Sequence, residues 1–344
     1  MRPALRKLLR VGALTLVLAC PAQAAAGGRA TIFYYPWYGT AVAADSGYAH
    51  WGQNGHVPPA DIASNFYPAR GIYSSGDAFV VGAQMREIAA AGIAEVAVSW
   101  WGRGSVEDSR LPLVLSAAKA AGLGVAAHLE PYDGRSVAST ESDIGYLRSL
   151  GIQSFYVYRP LDLPDADWAA MNDRLGPVRV YAQTALVGRA AAGHFDGVYT
   201  YDILVYGGNS FARICGQAHA KRLLCAPSVG PGYDARRAVG DARVKPRREG
   251  LTYDSMWAAA LRAHADGVTI TSYNEWHEGT QIEPAADRPG YASYEGAWHL
   301  AGACAQTAYL ARTELWTRQL AKTSAEQPKT RASRTSASAT PCRA

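Results

Sequence analysis

Apolar runs and amphipathic stretches alternate along the chain at a spacing of roughly 25 to 40 residues, which favours parallel β/α units. The predicted strands are residues 31–37, 95–101, 124–130, 154–158, 178–184, 197–201, 222–228 and 268–273. The predicted helices lie near residues 79–91, 113–121, 141–150, 165–175, 186–192, 210–220 and 253–265, and a final amphipathic stretch covers 294–320. Eight such units within residues 29–320 predict a single α/β domain with the (β/α)8 fold of a TIM barrel.

A doubly wound open sheet is the alternative arrangement of these units. No G-x-G-x-x-G sequence follows any predicted strand, so the chain shows no dinucleotide-binding fingerprint. In a TIM barrel the catalytic groups lie at the carboxyl ends of the strands. The barrel prediction therefore requires the chemically active residues of this chain to follow its predicted strands.

The densest chemistry follows the last predicted strand, in five consecutive residues: Asn274, Glu275, Trp276, His277 and Glu278. Carboxyl groups three residues apart point to opposite faces of an extended strand, but they can converge where a strand ends in a turn. Cleavage of a glycosidic bond uses one protonated carboxyl group and one carboxylate. The neighbouring indole would offer a flat apolar face to a sugar ring. The alternative interpretation is a pair of surface carboxylates on a loop.

Other predicted strand ends also carry polar and aromatic side chains: Tyr35 and Trp37 at the first, Trp100 and Trp101 at the second, His128, Glu130 and Tyr132 at the third, and Tyr199 and Tyr201 at the sixth. Such groups are costly to bury unless a ligand or a hydrogen-bond network uses them. We interpret Glu130 as functional. His128, Tyr199 and Tyr201 fit a barrel core and a substrate contact equally well. The two tryptophans point in opposite directions, so one packs against helices and the other faces the barrel mouth.

A long segment without helical periodicity, residues 38–78, separates the first strand from the first helix. It is punctuated by Gly and Pro, and it contains His50 and Trp51. Loops of this length inside a compact domain are usually functional. We therefore expect this loop to contribute to the site.

The sequence contains neither the H-E-x-x-H motif nor a C-x-x-C pair. The H-E-x-x-H motif of a metalloprotease fails because Gln281 stands where the second histidine is required. Four cysteines follow the leader described below, namely Cys215, Cys225, Cys304 and Cys342, and none forms a C-x-x-C pair. In an oxidising compartment Cys215 and Cys225 can form a disulfide, but buried free thiols fit the spacing equally well.

The amino terminus has the features of a secretory signal peptide over residues 1–24. Four basic residues precede an apolar run at 11–19, and Ala22-Gln23-Ala24 is a small-x-small cleavage site, with cleavage expected after Ala24. The run is too short to span a membrane. A lipoprotein anchored at Cys20 is the alternative, although Leu18 fits that motif poorly. The protein is therefore expected to be secreted or periplasmic.

Charge outside the predicted domain accounts for the basic character of the chain. The whole sequence has a formal net charge of +5, and removing residues 1–24 takes away four cations and no acid. The Ser/Thr/Ala-rich segment 321–344 is also basic and is predicted to be a disordered tail. Since the domain itself is slightly acidic, no nucleic-acid partner is expected. The 9 Trp and 20 Tyr against only 6 Phe favour a surface that binds carbohydrate.

Several ordered segments together resemble glycoside hydrolase family 99, the endo-α-mannosidase and endo-α-1,2-mannanase family. The segments are F-Y-Y-P-W-Y-G at 33–39, H-W at 50–51, F-Y-P at 66–68, Y-S-S at 73–75, H-L-E-P-Y at 128–132, D-G-V-Y-T-Y at 196–201, P-S-V-G-P-G-Y at 227–233 and S-Y-N-E-W-H-E-G-T-Q-I-E at 272–283. The resemblance implies a (β/α)8 hydrolase that cleaves internal α-1,2-linked mannosides with retention of configuration, without a metal or another cofactor.

The resemblance also implies roles for individual residues. Glu275 would act as a base on the 2-hydroxyl group of the sugar and give a 1,2-anhydro intermediate. Glu278 would protonate the leaving oxygen and then activate water. The substrate-binding residues would be Tyr35, Trp37, His50, Trp51, Trp101, His128, Glu130, Tyr132, Tyr199, Tyr201, Asn274 and Trp276. The sequence after Tyr233 departs from the family pattern, which leaves substrate choice open.

An oligosaccharide or polysaccharide is thus the expected partner of a monomeric enzyme with no membrane span. One alternative is a hydrolase of the same fold that acts on another α-linked polysaccharide. The other is a non-catalytic carbohydrate-binding barrel, against which the pair Glu275 and Glu278 argues, because binding alone does not require two closely spaced carboxyl groups.

Overall fold

The structure is a computed structural model that describes residues 29–41, 45 and 47–326. The predicted leader at 1–24 and the tail beyond residue 326 lie outside this part of the chain. Within it, nine parallel strand segments form one sheet. They are β1 (Arg29–Tyr34), β2 (Glu95–Trp100), β3 (Gly124–Leu129), β4 (Ser154–Val157), β5 (Arg179–Gln183), β6 (Gly197–Tyr199), β7 (Leu224–Ala226), β8 (Ser228–Val229) and β9 (Gly267–Ile270).

Segments β7 and β8 occupy a single position in the barrel. β7 pairs with β6, β8 pairs with β9, and only Pro227 separates the two segments. Proline has no N–H group to donate to a neighbouring strand, so the ladder is interrupted at this residue. Because β9 also pairs with β1, the sheet closes. The predicted (β/α)8 barrel is confirmed.

Ten helices surround the barrel in the described residues. They are α1 (Ala78–Ala90), α2 (Val106–Ala120), α3 (Val137–Ser149), α4 (Asp165–Asn172), α5 (Val187–Ala192), α6 (Gly208–Ala220), α7 (Arg236–Val239), α8 (Leu251–Arg262), α9 (Gly302–Gln306) and α10 (Ala308–Glu326). None of them is both long and apolar enough to cross a membrane. Three short 3-10 segments lie at Pro160–Asp162, Arg248–Gly250 and Ala297–His299.

Helix ends differ from the prediction more than strands do. Helix α2 begins at Val106, where Ser105 caps it by accepting a hydrogen bond from Asp108 N, and Pro112 lies inside it. The predicted closing helix at 294–320 begins only at α9 and α10, because the preceding residues form a loop with Gly296 and Trp298 at positive φ. At the other end α10 continues to Glu326, so the first six residues of the predicted tail are helical.

Two short antiparallel pairs lie outside the barrel sheet. Tyr67–Pro68, in the long loop after β1, pairs with Ala285–Ala286, and Tyr233–Asp234 pairs with Val244–Lys245. The first pair joins the long loop to the segment after β9. The second forms a ribbon after β8. Both therefore cover the end of the barrel at which the strands finish.

Aromatic side chains fill much of the barrel interior. The interior cluster consists of Phe33, Tyr35, Ala97, Ala126, Tyr156, Tyr199, Tyr201 and Ala226. Phe33 is fully buried and contacts the rings of Tyr156, Tyr199 and Tyr201. Alternation along β1 sends Phe33 and Tyr35 to the inside and the intervening Tyr34 towards the helices, since side chains of a strand alternate between its faces. Barrel filling is thus the role of Tyr199.

A disulfide joins Cys215 in α6 to Cys225 in β7, which decides between the two possibilities that the spacing left open. Cys304 is a free, exposed thiol.

Removing this disulfide should destabilise the barrel. We expect Cys215→Ala combined with Cys225→Ala to lower the free energy of unfolding by about 3 kcal/mol, because the unfolded chain regains the freedom that a short closed loop denies it. Urea unfolding followed by circular dichroism measures the change. Cys304→Ala is the matched control and should leave the midpoint unchanged. An equal loss in both variants would contradict the pairing.

Candidate active site

The residues after β9 form a compact turn that closes on itself. Ser272 N donates to Thr280 O over 2.9 Å, and Ile282 N donates to Ser272 O over 2.9 Å. Within this frame Ser272 Oγ accepts a hydrogen bond from Glu275 N at 2.8 Å. We call residues 272–283 the catalytic turn. It lies at the carboxyl end of the barrel, where the fold places active sites.

Glu275 and Glu278 lie on the same side of this turn. An oxygen of the Glu275 carboxyl group, Oε2, accepts a hydrogen bond from the backbone N–H of Glu278. Gly279 follows with a φ of 63°, and a side chain there would meet Asp234 O at 2.9 Å. Asp234 N in turn donates to Glu278 O over 2.7 Å. The ribbon after β8 thus holds the end of the turn that carries Glu278.

A cavity of about 160 Å³ opens beside Glu278. Its lining consists of Tyr158, Tyr201, Asp202, Ile203, Leu204, Tyr233, Arg243, Thr271 and Glu278. The Tyr201 hydroxyl group donates to Glu278 Oε2 over 3.4 Å and is also hydrogen-bonded to the Tyr35 hydroxyl group. Glu275 is only 3% exposed, whereas Glu278 is half-buried. The two carboxyl groups therefore have different access to this cavity.

Burial and neighbouring carboxyl groups make both glutamates weak acids. Burial, followed by the charges of Asp202 and Glu130, raises the pKa of Glu278 to about 8. Burial, followed by the charge of Glu278, raises the pKa of Glu275 well above its usual range. The backbone N–H groups of Glu278 and His277 oppose this rise and favour the ionised form of Glu275. Burial is the largest cause of the raised pKa at both glutamates, and it follows from the tertiary structure rather than from the local sequence.

A further carboxyl group, outside the turn, lies at the end of β3. Glu130 is buried and accepts a hydrogen bond from Ser99 Oγ over 2.8 Å. His128 Nδ1 lies 2.9 Å from Glu130 Oε1 but is not aligned for a hydrogen bond, while His128 Nε2 is bonded to the Tyr199 hydroxyl group at 2.9 Å. Since Glu130 raises the pKa of both glutamates of the turn, the structure brings it into their electrostatic environment.

Three aromatic rings are stacked at the edge of the site. The Trp37 and His50 rings lie 4.3 Å apart with an angle of 5° between them, and the His277 ring follows at 5.5 Å from His50. Burial lowers the pKa of His50 to about 4, so this ring is neutral at pH 7. Trp37 Nε1 and His50 Nδ1 are buried and have no hydrogen-bond partner.

Two of the predicted substrate-binding residues, Trp101 and Tyr132, are partly exposed. Trp101 is 38% exposed, while its neighbour Trp100 is buried and donates from Nε1 to Asp108, as expected from their opposite directions. Tyr132 is half-buried; its hydroxyl group donates to Asp143 over 2.5 Å, and its ring packs against Gly102. These two aromatic residues lie at the barrel rim.

Five other predicted contacts have no more than 1% of their surface exposed: Trp51, His128, Tyr199, Asn274 and Trp276. This structure gives them no surface for a sugar, so we assign them supporting roles. Trp51 stacks on Tyr38 at 4.2 Å. Asn274 exchanges two hydrogen bonds with the backbone of Tyr35, at 2.8 and 2.9 Å, and so ties the catalytic turn to the end of β1. Adjacency in sequence did not reveal that the turn directs these side chains inward.

Glu283, the third carboxyl group of the turn, was not among the site residues predicted from the sequence. It is fully buried, and four side chains donate to it: Arg70 Nε, the Tyr73 hydroxyl group and Gln84 Nε2 at 2.8 Å each, and Trp276 Nε1 at 2.9 Å. Its position directly before a proline, in the same motif as the other two glutamates, was the available signal. Trp276 thus donates to a buried carboxylate in this structure.

Comparison with known families agrees with this geometry. The model of glycosyl hydrolase family 99 matches residues 28–164 and 184–322, which is most of the chain. The chain belongs to glycosyl hydrolase family 99. This family 99 chain is accordingly a glycoside hydrolase.

The family 99 chain is also similar to individual curated proteins. It is 32% identical over 320 aligned positions to a glycoprotein endo-alpha-1,2-mannosidase-like protein of Danio rerio, with 75% of this chain and 71% of the relative covered. It is 30% identical over 316 positions to the glycoprotein endo-alpha-1,2-mannosidase of Mus musculus, covering 74% and 68%. The solved GH99 endo-alpha-mannosidase of Bacteroides thetaiotaomicron superposes with a TM-score of 0.77 at 29% identity, covering 86% and 98%.

Loss of the buried charge at Glu283 should destabilise the family 99 enzyme. In Glu283→Gln an amide N–H faces donors that need an acceptor, and Arg70 loses a buried partner. We expect the free energy of unfolding to fall by about 2–4 kcal/mol. Thermal and urea unfolding measure it.

Glu314→Gln is the matched control for this variant, because it removes a carboxylate from an exposed pair with Arg318 on α10. It should change the stability by less than about 0.5 kcal/mol. Similar stability of the two variants would show that Glu283 is not the organising group.

Proposed function

We propose that this enzyme hydrolyses internal α-1,2-mannosidic linkages with retention of configuration, through a 1,2-anhydro sugar intermediate. The observation that carries the proposal is the catalytic turn, which holds two carboxyl groups in unequal surroundings. The mannoside preference rests on the similarity to proteins named endo-alpha-1,2-mannosidases. The substrate is an oligosaccharide or polysaccharide.

Glu278 is the acid in this mechanism. Its pKa of about 8 keeps it protonated at neutral pH, and it lines the open cavity, so it can reach the oxygen of a leaving sugar. After that proton has been donated, the carboxylate can take a proton from water. Tyr201, which donates to Glu278 Oε2, keeps the carboxyl group oriented during both steps.

Glu275 is the base in this mechanism. Two backbone N–H groups face its carboxyl group and favour the negative charge, whereas Glu278 has only the longer hydrogen bond from Tyr201. When two carboxyl groups share one proton, these donors place the charge on Glu275. Its burial makes the carboxylate more basic than one in water, which suits removal of a proton from the 2-hydroxyl group.

Several groups at the site are arranged to hold the sugar. Trp37 Nε1 and His50 Nδ1 lack partners in the protein and can bond to sugar hydroxyl groups. The hydrogen-bonded hydroxyl groups of Tyr35 and Tyr201 lie beside the acid. Trp101 presents an exposed ring at the rim for a more distant sugar unit.

The two alternative functions considered from the sequence no longer have equal support. A non-catalytic barrel is set aside, because the chain belongs to a hydrolase family and has both carboxyl groups in one turn. Another α-linked polysaccharide remains the second candidate substrate, since the ribbon after β8, which departs from the family pattern, forms part of the cavity wall through Tyr233 and Arg243. We also propose secretion or a periplasmic location, because disulfides such as Cys215–Cys225 persist in oxidising compartments.

Product analysis tests the activity. We expect the purified enzyme to cleave an α-1,2-mannan or a mannose oligosaccharide internally and to release a product whose anomeric carbon is α when first formed, as followed by NMR. Unrelated α-glucans are the controls and should remain intact. A folded protein that cleaves no mannoside but degrades another α-linked polysaccharide would overturn the mannoside assignment.

Glu278→Gln separates chemistry from binding within the same experiment. The variant should bind the oligosaccharide but cleave it at least 100-fold more slowly, because its amide cannot donate the required proton. A glycosyl fluoride, whose leaving group needs no acid, should restore the rate of the first step, in which the leaving group departs. Added azide, a nucleophile that needs no base, should restore the rate of the second step, in which the intermediate is opened. Full turnover of the ordinary substrate by this variant would refute the role of Glu278.

The raised pKa of Glu278 predicts how stability depends on pH. Between pH 4.5 and 8 the native state holds a proton that the unfolded state releases, so stability should fall as pH rises through this window. Glu278→Gln has no proton to lose and should therefore melt several degrees above the wild type at pH 8 and close to it at pH 4. If the melting temperatures of the variant and the wild type differ by the same amount at pH 4 and at pH 8, the raised pKa of Glu278 is contradicted.

A further inference from the structure

His277 belongs to the N-E-W-H-E segment, and the mechanism above gives it no role. It lies between the two glutamates in sequence and is buried. Its Nε2 is hydrogen-bonded to the backbone carbonyl oxygen of His50. A carbonyl oxygen can only accept, so Nε2 carries the hydrogen.

This hydrogen bond decides the state of the other ring nitrogen. Burial lowers the pKa of His277, and the ring is therefore neutral at pH 7. A neutral imidazole carries one hydrogen, and that hydrogen is on Nε2. Nδ1 is consequently a bare acceptor, and it lies 3.8 Å from Glu275 Oε1.

The state of Nδ1 affects Glu275, because Nδ1 lies on the side of the oxygen Oε1. Glu275 Oε2 is occupied by the N–H group of Glu278, while Oε1 faces Nδ1. In the opposite tautomer, an Nδ1–H group would point its positive end towards Oε1 across 3.8 Å and stabilise the negative charge of the carboxylate. This would weaken Glu275 as a base.

We propose that His277 is a positioning residue that keeps Glu275 Oε1 free to accept the proton of the substrate hydroxyl group, by being locked in the Nε2–H tautomer by the His50 carbonyl group. The inference rests on the proposed role of Glu275 as the base. It also assigns the long loop after β1 a function, since this loop supplies the carbonyl group that sets the tautomer.

Other groups that face this pair must remain constant in a test that uses pH. The titratable or charged groups around Glu275 and His277 are Glu278 in the same turn, Glu130 at the end of β3, Tyr35 and Tyr38 after β1, Tyr201 after β6, and His50 and Arg110. The variants below change none of them, so a shift of the pH profile reports on position 277.

Two substitutions at this position form a matched pair. In His277→Asn the short amide takes the place of Nδ1 and can donate an N–H to Glu275 Oε1. In His277→Gln the longer amide takes the place of Nε2 and can still donate to the His50 carbonyl group. Both lose the ring and its stacking on His50, so loss of packing affects both alike.

We expect both variants to lower kcat, with KM close to that of the wild type. Only His277→Asn should also move the acidic limb of the kcat/KM profile, by about one pH unit towards lower pH, because the added donor makes Glu275 less basic. An acidic limb that stays in place in both variants, or that moves equally in both, would overturn the proposal.

The tautomer is measured independently of activity. Nitrogen-15 NMR of the labelled wild-type enzyme, with the His277 signals identified by their loss in His277→Gln, should show a protonated Nε2 and a bare Nδ1 at pH 7. A protonated Nδ1 would refute the inference whatever the substrate is. If instead the tautomer is as stated but no mannoside is cleaved, the proposed function fails while the assignment of His277 stands.

Discussion

The mouth of this barrel depends on one buried carboxylate. Glu283 accepts hydrogen bonds from Arg70 and Tyr73 in the long loop, from Gln84 in α1 and from Trp276 in the catalytic turn. A buried charge is tolerated only where partners compensate its lost hydration. Three separate parts of the chain must therefore meet at this carboxylate. Their meeting places the long loop, α1 and the catalytic turn relative to one another.

The same cost of burying charge gives the two glutamates of the turn their different properties. Neither can ionise as easily as a carboxyl group in water, and the pair cannot ionise together without strong repulsion. Backbone N–H groups compensate Glu275, whereas Glu278 faces the cavity and the charge of Asp202. The proposed acid and the proposed base are thus identical side chains that the turn presents to different surroundings.

The long loop after β1 contributes mainly by supporting the site. Trp51 and Tyr73 are buried in it and hold the Tyr38 ring and the catalytic turn. Tyr38 accepts a hydrogen bond from Trp276 N and donates to Asn274 O, both over 3.0 Å. His50 Nδ1, also in this loop, is buried without a hydrogen-bond partner. In the described part of this loop, aromatic residues that pack against the turn hold the chain in place.

The alternation of apolar and amphipathic segments was sufficient to predict the (β/α)8 barrel, since each parallel strand needs a covering helix. It also placed Glu275 and Glu278 at a strand end, because that position follows from strand length alone. Burial was decided only by the tertiary structure: Trp276 and Trp51 turn inward while Trp101 stays exposed. Glu283 acquires its role through Arg70 and Gln84, which lie about 200 residues away in sequence. Such long-range contacts leave no periodic signal, so local patterns cannot reveal them.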